Sequence, residues 1–341
     1  MMKKAFYSDD IKIAVIGGGT GSFTLLSALK HRTEAIAALV NMADDGGSTG
    51  KLRDELGVLP PGDIRQCLAA LSNWPDMREL FNYRFSEGSL KGHAFGNLFL
   101  TALEDMSGDF GRGVELASEV LNITGVVEPT TLTNITLVLK QGNTQLRGQY
   151  AITDAGLDLG GQRPQLSLDP VPEANPSAVK AIERADVVVI APGGLYGSLA
   201  PALLVPGIGQ ALANTKALRV YVANLVTKPG QTDNFDVCDF ADELERFAGQ
   251  PFIDALFYNT EAPSDKLLKR YAADGELPVK SDKARAQGAR YDVIGAPLVS
   301  REVTFKRQNA DPIAAKRTLI RHDGNAVADA ILEYYRHVRA D

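Results

Sequence analysis

The sequence predicts an α/β protein with a Rossmann-like, mostly parallel sheet, helices on both faces and an added antiparallel β-hairpin or meander. Three observations lead to this fold class. Short apolar runs of strand length alternate with helical patterns, glycine turns follow several of these runs, and the hydrophobic period changes to two between Thr133 and Ile152. We expect residues 10–341 to form a single Rossmann-like nucleotide-binding domain, with the β-meander as an addition at about 130–170.

The composition is that of an ordinary globular protein. Of 341 residues, 45% are hydrophobic, and 36 basic against 42 acidic residues give a net charge of −6. No basic cluster is present, so the electrostatic footprint of a nucleic-acid partner is missing. The two cysteines, Cys67 and Cys238, have neither CxxC nor CxxH spacing, which argues against a disulfide framework and a structural zinc site.

Targeting and membrane signals are weak in this sequence. The N-terminal segment Met1–Asp10 has two lysines but no apolar h-region. No apolar run approaches the roughly 20 residues that span a bilayer. We therefore expect a cytoplasmic protein without a membrane span.

The first predicted unit is a βαβ unit with a glycine turn. A strand over Ile11–Ile16 enters the turn, a helix follows, and Ala35–Val40 forms the second strand. Free N–H groups at a helix start can hold a phosphate, so the turn residues are candidate ligand residues: Gly18, Gly19, Thr20 and Gly21. Ser22 stands where the dinucleotide fingerprint needs glycine, and Asn41 stands where a carboxylate would bind a ribose. NAD is therefore disfavoured, although Asn41 can hydrogen-bond a ribose or a base.

The second turn follows the second strand and is richer in polar groups. Its candidate ligand residues combine acids, a hydroxyl and a base: Asp44, Asp45, Gly46, Gly47, Ser48 and Arg53. The carboxylates of Asp44 and Asp45 could hold Mg²⁺. Adjacent acids point in different directions in most conformations, so the alternative is that one binds and the other caps a turn.

Two later helix starts supply further candidates. Asp63 either forms a capping box with Gln66 or binds a ligand beside Arg65, a cation at an anion-attracting helix end. His93 lies in a glycine-flanked turn, where it is either a turn residue or a ligand and catalytic residue. Asn97 is a typical N-cap for the following helix and is also a candidate ligand residue.

The middle of the chain changes to a strand pattern with a period of two. Thr133–Ile152 alternates around a turn at Gln141–Thr144, which predicts an antiparallel hairpin that Gln165–Leu168 extends to a meander. Buried strands are then expected over 185–191, 220–226 and 254–258, and a last helix from near Asp323.

Polar loops follow the first two of these buried strands. Their candidate ligand residues are Gly193, Gly194, Tyr196 and Ser198 in one loop, and Asn224, Lys228, Thr232 and Asp233 in the other. In an open parallel sheet, ligands bind at the carboxyl ends of the strands, where the strand order reverses. The loops at 17–21, 41–53, 192–198 and 224–233 should meet at that edge, which predicts a phosphate-ligand site.

The motifs in these loops resemble those of a known family. The segments GGGTGS (17–22), ADDGGSTGKLRDE (43–55), PPGDIRQ (60–66) and GHAFGNL (92–98) precede APGGLYGSLAPALLVPGI (191–208), VTKPGQTDNF (226–235) and RHD (321–323). Together they are similar, over nearly the whole chain, to the YvcK-type gluconeogenesis factors, which are related to the CofD phospholactate transferases. The 43–55, 60–66 and PGQTD segments look closer to the YvcK branch.

The resemblance implies a Rossmann-like core that binds a UDP-sugar, UDP-N-acetylglucosamine or UDP-glucose. YvcK-like members are needed for growth on gluconeogenic carbon sources and for normal cell shape and wall synthesis. CofD members move a phospholactyl group from a guanosine diphosphate carrier to a deazaflavin, with Mg²⁺. Tyr271 and Arg321 match family positions implicated in UDP-sugar binding, Tyr271 by stacking on uracil or packing against the sugar and Arg321 by neutralising phosphate.

Three positions depart from the family pattern. Lys51 stands where the YvcK branch has arginine, which keeps the charge but loses a planar bidentate donor. Ala94 replaces a serine after His93. Gly324 follows the RHD motif where some members carry a threonine, which argues against phosphorylation at that point.

Three hypotheses follow for the function. The leading one is a UDP-sugar-binding regulator that performs no turnover. The second is a phosphoryl-group transferase in which Asp44 and Asp45 hold Mg²⁺ while His93 or Asp63 removes a proton. The third is a scaffold that binds partner proteins. The sequence identifies no certain cofactor, allows Mg²⁺ and allows a homo-oligomer.

Overall fold

The computed structural model describes residues 11–154, 157–301 and 319–340. The segment 1–10, to which the expectation about targeting refers, lies outside these ranges. In chain order the strands are β1 (Ile13–Gly17), β2 (Ile36–Val40), β3 (Val126–Pro129), β4 (Thr136–Gln141), β5 (Thr144–Arg147), β6 (Gln165–Asp169), β7 (Val187–Ile190), β8 (Leu218–Val222), β9 (Ala255–Asn259) and β10 (Asp292–Ala296).

The helices connect these strands. They are α1 (Gly19–Leu29), α2 (Gly47–Leu56), α3 (Pro61–Leu71), α4 (Pro75–Asn82), α5 (Phe95–Ser107), α6 (Phe110–Leu121), α7 (Gln149–Asp154), α8 (Pro176–Arg184), α9 (Ala200–Leu203), α10 (Ile208–Asn214), α11 (Val237–Ala248), α12 (Asp265–Ala273), α13 (Lys283–Gly288) and α14 (Gly324–Ala340). A π-helical turn, Leu195–Leu199, runs directly into α9.

The larger sheet is parallel and has seven strands in the order β10-β9-β8-β7-β1-β2-β3. Its central strands β1 and β7 are buried along their whole length, as their continuous apolar runs predict. From β1 the chain proceeds to β2 and β3, and from β7 it proceeds in the opposite direction to β8 and β9. The strand order therefore reverses between β1 and β7, where ligands bind in sheets of this kind.

Helices cover this sheet in two groups, which confirms the predicted α/β class. Helix α1 packs against α3 and α14, while α8 packs against α10 and α10 against α11. Right-handed crossovers that run in opposite directions along the sheet place their helices on opposite faces. A cluster of buried apolar side chains joins both groups and the smaller sheet.

The smaller sheet is antiparallel, with the order β5-β4-β6. The predicted hairpin is confirmed for β4 and β5, but β6 pairs with the free side of β4 and not with β5 as in a meander. Strand β4 buries Leu137 and Leu139 against the core, whereas the residues of β5 are largely exposed. The end of the predicted hairpin instead forms α7, because Gly148, at φ 97°, turns the chain out of β5.

Among the described residues, no single helix is long and apolar enough to cross a membrane. Two consecutive helical segments, Leu195–Leu203 and Ile208–Asn214, are long and apolar enough for a membrane span only when they are counted together, and they are bent by 74° relative to each other. Most of their apolar side chains belong to the buried core, and a core helix passes the same test.

Candidate functional site

The glycine turn after β1 packs directly against two neighbouring segments. The N–H of Gly19 donates to Asp63 Oδ1 over 3.0 Å. A Cβ at Gly18 would overlap the Asp63 carboxylate, and a Cβ at Gly21 would overlap the carbonyl oxygen of Pro192. Glycine at 18 and 21 therefore lets the turn reach both α3 and the loop after β7.

Asp63 has a different role from the predicted capping box. Helix α3 has Pro60 as its N-cap, and Asp63 is its third residue. The carboxylate accepts from the Gly19 N–H, while Gln66 Nε2 donates to the same oxygen over a long 3.5 Å. The capping-box prediction is wrong because Asp63 is not the N-cap of α3, and its carboxylate accepts from the distant Gly19 N–H.

Asn41 shapes the chain after β2. Its N–H donates to Gly17 O over 3.2 Å, and its Oδ1 accepts from the Ala43 N–H over 3.0 Å. The residue is buried. Asn41 thus joins the two glycine-bearing turns and directs the chain from β2 into the second one.

Asp44 and Asp45 point in different directions. Asp45 accepts from the backbone N–H groups of Gln149, at 3.0 Å, and Tyr150, at 2.6 Å, so that it caps α7. Asp44 Oδ1 accepts from the Gly46 N–H over 3.1 Å within its own turn. The two carboxylates do not converge on one point, in line with the alternative that one of them caps a turn.

The carboxyl of Asp44 is desolvated. Burial raises the pKa of Asp44, while hydrogen bonds from the Gly46 N–H and the Thr49 hydroxyl oppose that rise. A Cβ at Gly62 would overlap both Asp44 Oδ2 and Thr49 Oγ1, so the acid lies against the start of α3. No cluster of three or more metal-ligating His, Cys, Asp or Glu side chains occurs in the described ranges. A Mg²⁺ ion held by Asp44 would thus depend on water and ligand oxygens.

Arg53 links the second turn to the segment that precedes β4. One of its terminal nitrogens donates to Asp44 O over 3.1 Å. The other donates to Asn134 Oδ1, at 2.6 Å, and Ile135 O, at 2.8 Å. The guanidinium therefore fastens the turn to the segment that enters β4. At the start of α2, the N-cap is Gly46 and the next residue, Gly47, is exposed to solvent.

Four buried polar side chains form a chain of hydrogen bonds beside this turn. Arg65 Nε donates to Asn97 Oδ1 over 3.0 Å, and Asn97 Nδ2 donates to Ser48 Oγ over 3.2 Å. Ser48 Oγ lies 3.1 Å from His93 Nδ1. Asn97 is the third residue of α5, whose N-cap is Ala94, so the predicted N-cap role is wrong. Its amide serves the long-range chain and not its own helix.

The turn that carries His93 is fixed by backbone hydrogen bonds. His93 O accepts from the Phe85 N–H, Phe85 O accepts from the Gly92 N–H, and Tyr83 O accepts from the Phe95 N–H. These bonds pair the segment after α4 with the segment before α5. Helix α4 therefore ends at Asn82, and the chain continues in an extended conformation at Tyr83.

Asn224 fixes the loop after β7. Its Nδ2 donates to Gly193 O over 2.8 Å, and its Oδ1 accepts from the Gly193 N–H over 3.4 Å. Ser198 N–H donates back to Gly194 O within the π-helical turn. The two predicted loops of the second half thus contact each other at the edge of the sheet.

Tyr196, a predicted ligand residue, belongs to the hydrophobic core. Its ring is fully buried and packs edge-on against Phe247 of α11, at 6.1 Å between centroids. Burial raises the pKa of the Tyr196 hydroxyl, and the nearby Glu243 carboxylate adds to that rise. The side chain therefore faces α11, away from the turns described above.

Lys228 and Gln231 hold the other end of α7. Lys228 Nζ donates to Thr153 O over 2.5 Å, and Gln231 Nε2 donates to Ile152 O over 3.1 Å. Thr232 Oγ1 accepts from the Lys228 N–H and keeps the loop folded. A lysine at a helix C-terminus also complements the helix dipole. With Asp45 at its start, α7 bridges two of the predicted ligand loops, while Asp233 points into solvent.

Tyr271 anchors the segment that precedes Arg321. The Tyr271 hydroxyl accepts from the N–H groups of Leu319, at 2.7 Å, and Ile320, at 3.1 Å, and the ring is buried. Arg321 is exposed, and its carbonyl oxygen accepts from the Ser300 N–H. Tyr271 therefore positions the backbone beside Arg321, a role that the sequence motif did not indicate.

Two features of the site were missed from the sequence. Helix α7 has six residues within an alternating pattern, so no helical period could show it. The Nε2 atom of His322 is fully buried, and desolvation of the ring lowers its pKa to about 4. The RHD motif was the available signal for His322.

The starts of four helices meet at this edge of the sheet. The Gly19–Asp63 bond joins α1 to α3, and the Ser48–Asn97 bond joins α2 to α5. Each helix start carries a partial positive charge and unpaired N–H groups, which favour anions. The fold is that of a Rossmann-like α/β protein, with these helix starts at the edge of the sheet near β1 and β2.

Comparison with known proteins identifies the family. The model of the family described as 2-phospho-L-lactate transferase CofD matches residues 13–299, and the chain belongs to that family. It is 37% identical to the gluconeogenesis factor of Bacillus subtilis over 94% of this chain and 97% of that protein. It is 43% identical to a Nostoc sp. protein that carries the same name provisionally, over 92% of this chain and 69% of that protein.

A solved structure shares the fold. The crystal structure of a UPF0052 family protein from Bacillus halodurans superposes with a TM-score of 0.84 at 35% identity. The match covers 94% of this chain and 98% of that one. The gluconeogenesis-factor type of protein expected from the motifs is therefore supported along most of the chain.

Proposed function

We propose that this protein is a UDP-sugar-binding regulator of carbon metabolism that supports gluconeogenic growth, cell shape and wall synthesis. The observation that carries the proposal is the meeting of four helix starts at the edge of the sheet where the strand order reverses. Such an arrangement suits a diphosphate. The name gluconeogenesis factor, which its relatives bear, supports the physiological part.

The proposed ligand lies across both halves of the site. The N–H groups of Gly18, Thr20, Gly21 and Gly194 hold the diphosphate, since those of Gly19 and Gly193 donate within the protein. Asn41 and Asp44 contact ribose, base or sugar hydroxyls, and Arg321 neutralises phosphate charge. In this arrangement residues 10–341 act as one nucleotide-binding domain, and the addition at about 130–170 covers the ligand with α7, as in other sites closed by a short element.

Titration calorimetry tests the proposal with UDP-N-acetylglucosamine, UDP-glucose, GDP and NAD. We expect binding heat with the UDP-sugars. Arg321→Ala should weaken binding about tenfold or more, since a charged hydrogen bond contributes about 1.5–3 kcal/mol. Arg301→Ala is the matched control, because its side chain is 83% exposed and pairs with Glu261. Absence of heat with both UDP-sugars would refute the proposal.

A phosphoryl-group transferase of the CofD kind is the second candidate function. It is favoured by the position of Asp44 and Asp63, which flank the start of α3 beside the first glycine turn. The assay is phospholactyl transfer from a guanosine diphosphate carrier to a deazaflavin, with and without Mg²⁺. Transfer that Asp44→Asn abolishes would favour this function. Asp45→Asn should leave Mg²⁺ affinity unchanged, because Asp45 caps α7.

A further inference from the structure

The hydrogen-bond chain from Arg65 to His93 has a fixed direction. An arginine side chain can only donate hydrogen bonds. Arg65 Nε donates to Asn97 over 3.0 Å, so the atom of Asn97 that faces Arg65 must be its carbonyl oxygen. The amide nitrogen of Asn97 therefore faces Ser48, to which it donates over 3.2 Å. The orientation of the Asn97 amide follows from the chemistry of arginine.

The position of the proton on the His93 ring follows when the Ser48 hydroxyl donates to His93 Nδ1. Ser48 Oγ accepts from Asn97, so its single proton is left for another acceptor. His93 Nδ1, at 3.1 Å, is the acceptor that the described residues offer to the Ser48 hydroxyl. Nδ1 can accept only if it carries no proton. The ring is then neutral, and its proton resides on Nε2.

The Nε2 atom of His93 is accessible, although the ring is largely buried. The residue as a whole is only 8% exposed. Nε2 has no hydrogen-bond partner among the described residues, and it is not fully buried. The ring is therefore enclosed on its Nδ1 side and open at Nε2. The enclosed Nδ1 side faces Ser48, the second residue of α2, and so ties the ring to the second glycine turn.

We propose that Arg65, Asn97 and Ser48 are positioning residues that hold His93 in its Nε2–H form, so that the site presents a fixed donor to a phosphoryl oxygen of the ligand. The phosphoryl oxygen follows from the helix starts at the same place, which select anions. The identity of the ligand as a nucleotide sugar rests on the proposed function. The arrangement selects an acceptor at this point and rejects a donor.

The test is the tautomer of His93, measured by long-range ¹H–¹⁵N NMR on ¹⁵N-histidine-labelled protein. The wild type should show a neutral Nε2–H ring at His93. Asn97→Asp keeps the shape but turns a donor into an acceptor, so Ser48 should donate to the new carboxylate and His93 Nδ1 should become protonated. Asn143→Asp, in the exposed turn between β4 and β5, is the matched control and should change nothing.

A second pair of variants keeps the test decisive if Asn97→Asp does not fold. Ser48→Ala removes the hydroxyl and should leave His93 without a single fixed tautomer, whereas Ser48→Thr, which keeps the hydroxyl, should restore it. Circular dichroism and thermal unfolding verify that each variant folds. A wild-type ring with its proton on Nδ1, or an unchanged tautomer in both Asn97→Asp and Ser48→Ala, would overturn the inference.

Ligand titration tests the contact itself. UDP-N-acetylglucosamine should shift the Nε2 resonance of His93, and Asn97→Asp should weaken binding about tenfold to a hundredfold. Binding heat in the wild type without any change at His93 would refute the contact. If neither UDP-sugar binds, the proposed function fails, and inorganic pyrophosphate then decides the contact: a His93 Nε2 shift supports it and no shift refutes it.

Discussion

Replacing Asp45 by alanine should release the first turn of α7 and lower the free energy of unfolding. In the wild type, the Asp45 carboxylate accepts from the N–H groups of both Gln149 and Tyr150. Losing an N-cap costs about 0.5–2 kcal/mol, and a hydrogen bond to a charged group contributes about 1.5–3 kcal/mol. We expect Asp45→Ala to destabilise the protein by about 2–4 kcal/mol. Asp45→Asn, with one acceptor oxygen, should lose about half as much.

Urea unfolding measures the total effect, and amide hydrogen exchange locates it. The Gln149 and Tyr150 amides should exchange faster in Asp45→Ala, because they lose their acceptor while the rest of the sheet is unchanged. Asp233→Ala removes an exposed carboxylate from a neighbouring loop and serves as the control. If both amides stay protected and the midpoint of unfolding does not move, Asp45 does not cap α7 and the bridge between the loops is wrong.

Four other substitutions have expected outcomes. Gly21→Ala should prevent stable folding, as its Cβ would overlap Pro192 O, whereas Gly46→Ala, where the space is ordinary, should fold. Tyr271→Phe should cost about 1–3 kcal/mol, since two backbone donors lose their acceptor. The pKa of His322, about 4 in the folded state, lies below its unfolded value of about 6.5, so stability should fall as pH drops through that window. His322→Gln should reduce this pH-dependent loss of unfolding free energy by up to about 3 kcal/mol.

Each of these outcomes has a direct measurement and a contrary result. Expression and circular dichroism report on the two glycine variants, and equal stability of both would contradict the close approach of the loops. Denaturant titration reports on Tyr271→Phe, and calorimetry should also show weaker UDP-sugar binding; an unchanged free energy of unfolding would contradict the anchoring role. Urea midpoints between pH 4 and 7 report on His322, and parallel curves for wild type and variant would contradict its burial as a neutral ring.

The sequence predicted the large sheet and the loops at its edge because those features are local. Strands buried on both faces, such as β7, need continuous apolar runs, and parallel strands bring the turns after them to one edge. The polar turns after β1, β2, β7 and β8 were therefore placed correctly relative to the sheet. The place of the reversal, between β1 and β7, was not predicted, because spatial strand order depends on which strands pair and not on their order along the chain.

The roles of single polar residues could not be predicted in the same way. Asp63 and Asn97 occur at helix starts, and their local patterns favoured capping, but their partners lie 44 and 49 residues away in Gly19 and Ser48. The cap of α7 is likewise 104 residues from its helix. Local patterns indicate which residue types can cap a helix. They carry no information on a competing donor that only the tertiary fold supplies.

The central claim is that the edge between β1 and β7 binds a nucleotide sugar through its diphosphate. A crystal structure of the protein with UDP-N-acetylglucosamine tests it most directly. The account predicts diphosphate oxygens within hydrogen-bond distance of N–H groups in residues 18–21, with His93 Nε2 facing a phosphoryl oxygen. A nucleotide bound elsewhere, or one whose diphosphate points away from the starts of α1 and α2, would contradict it.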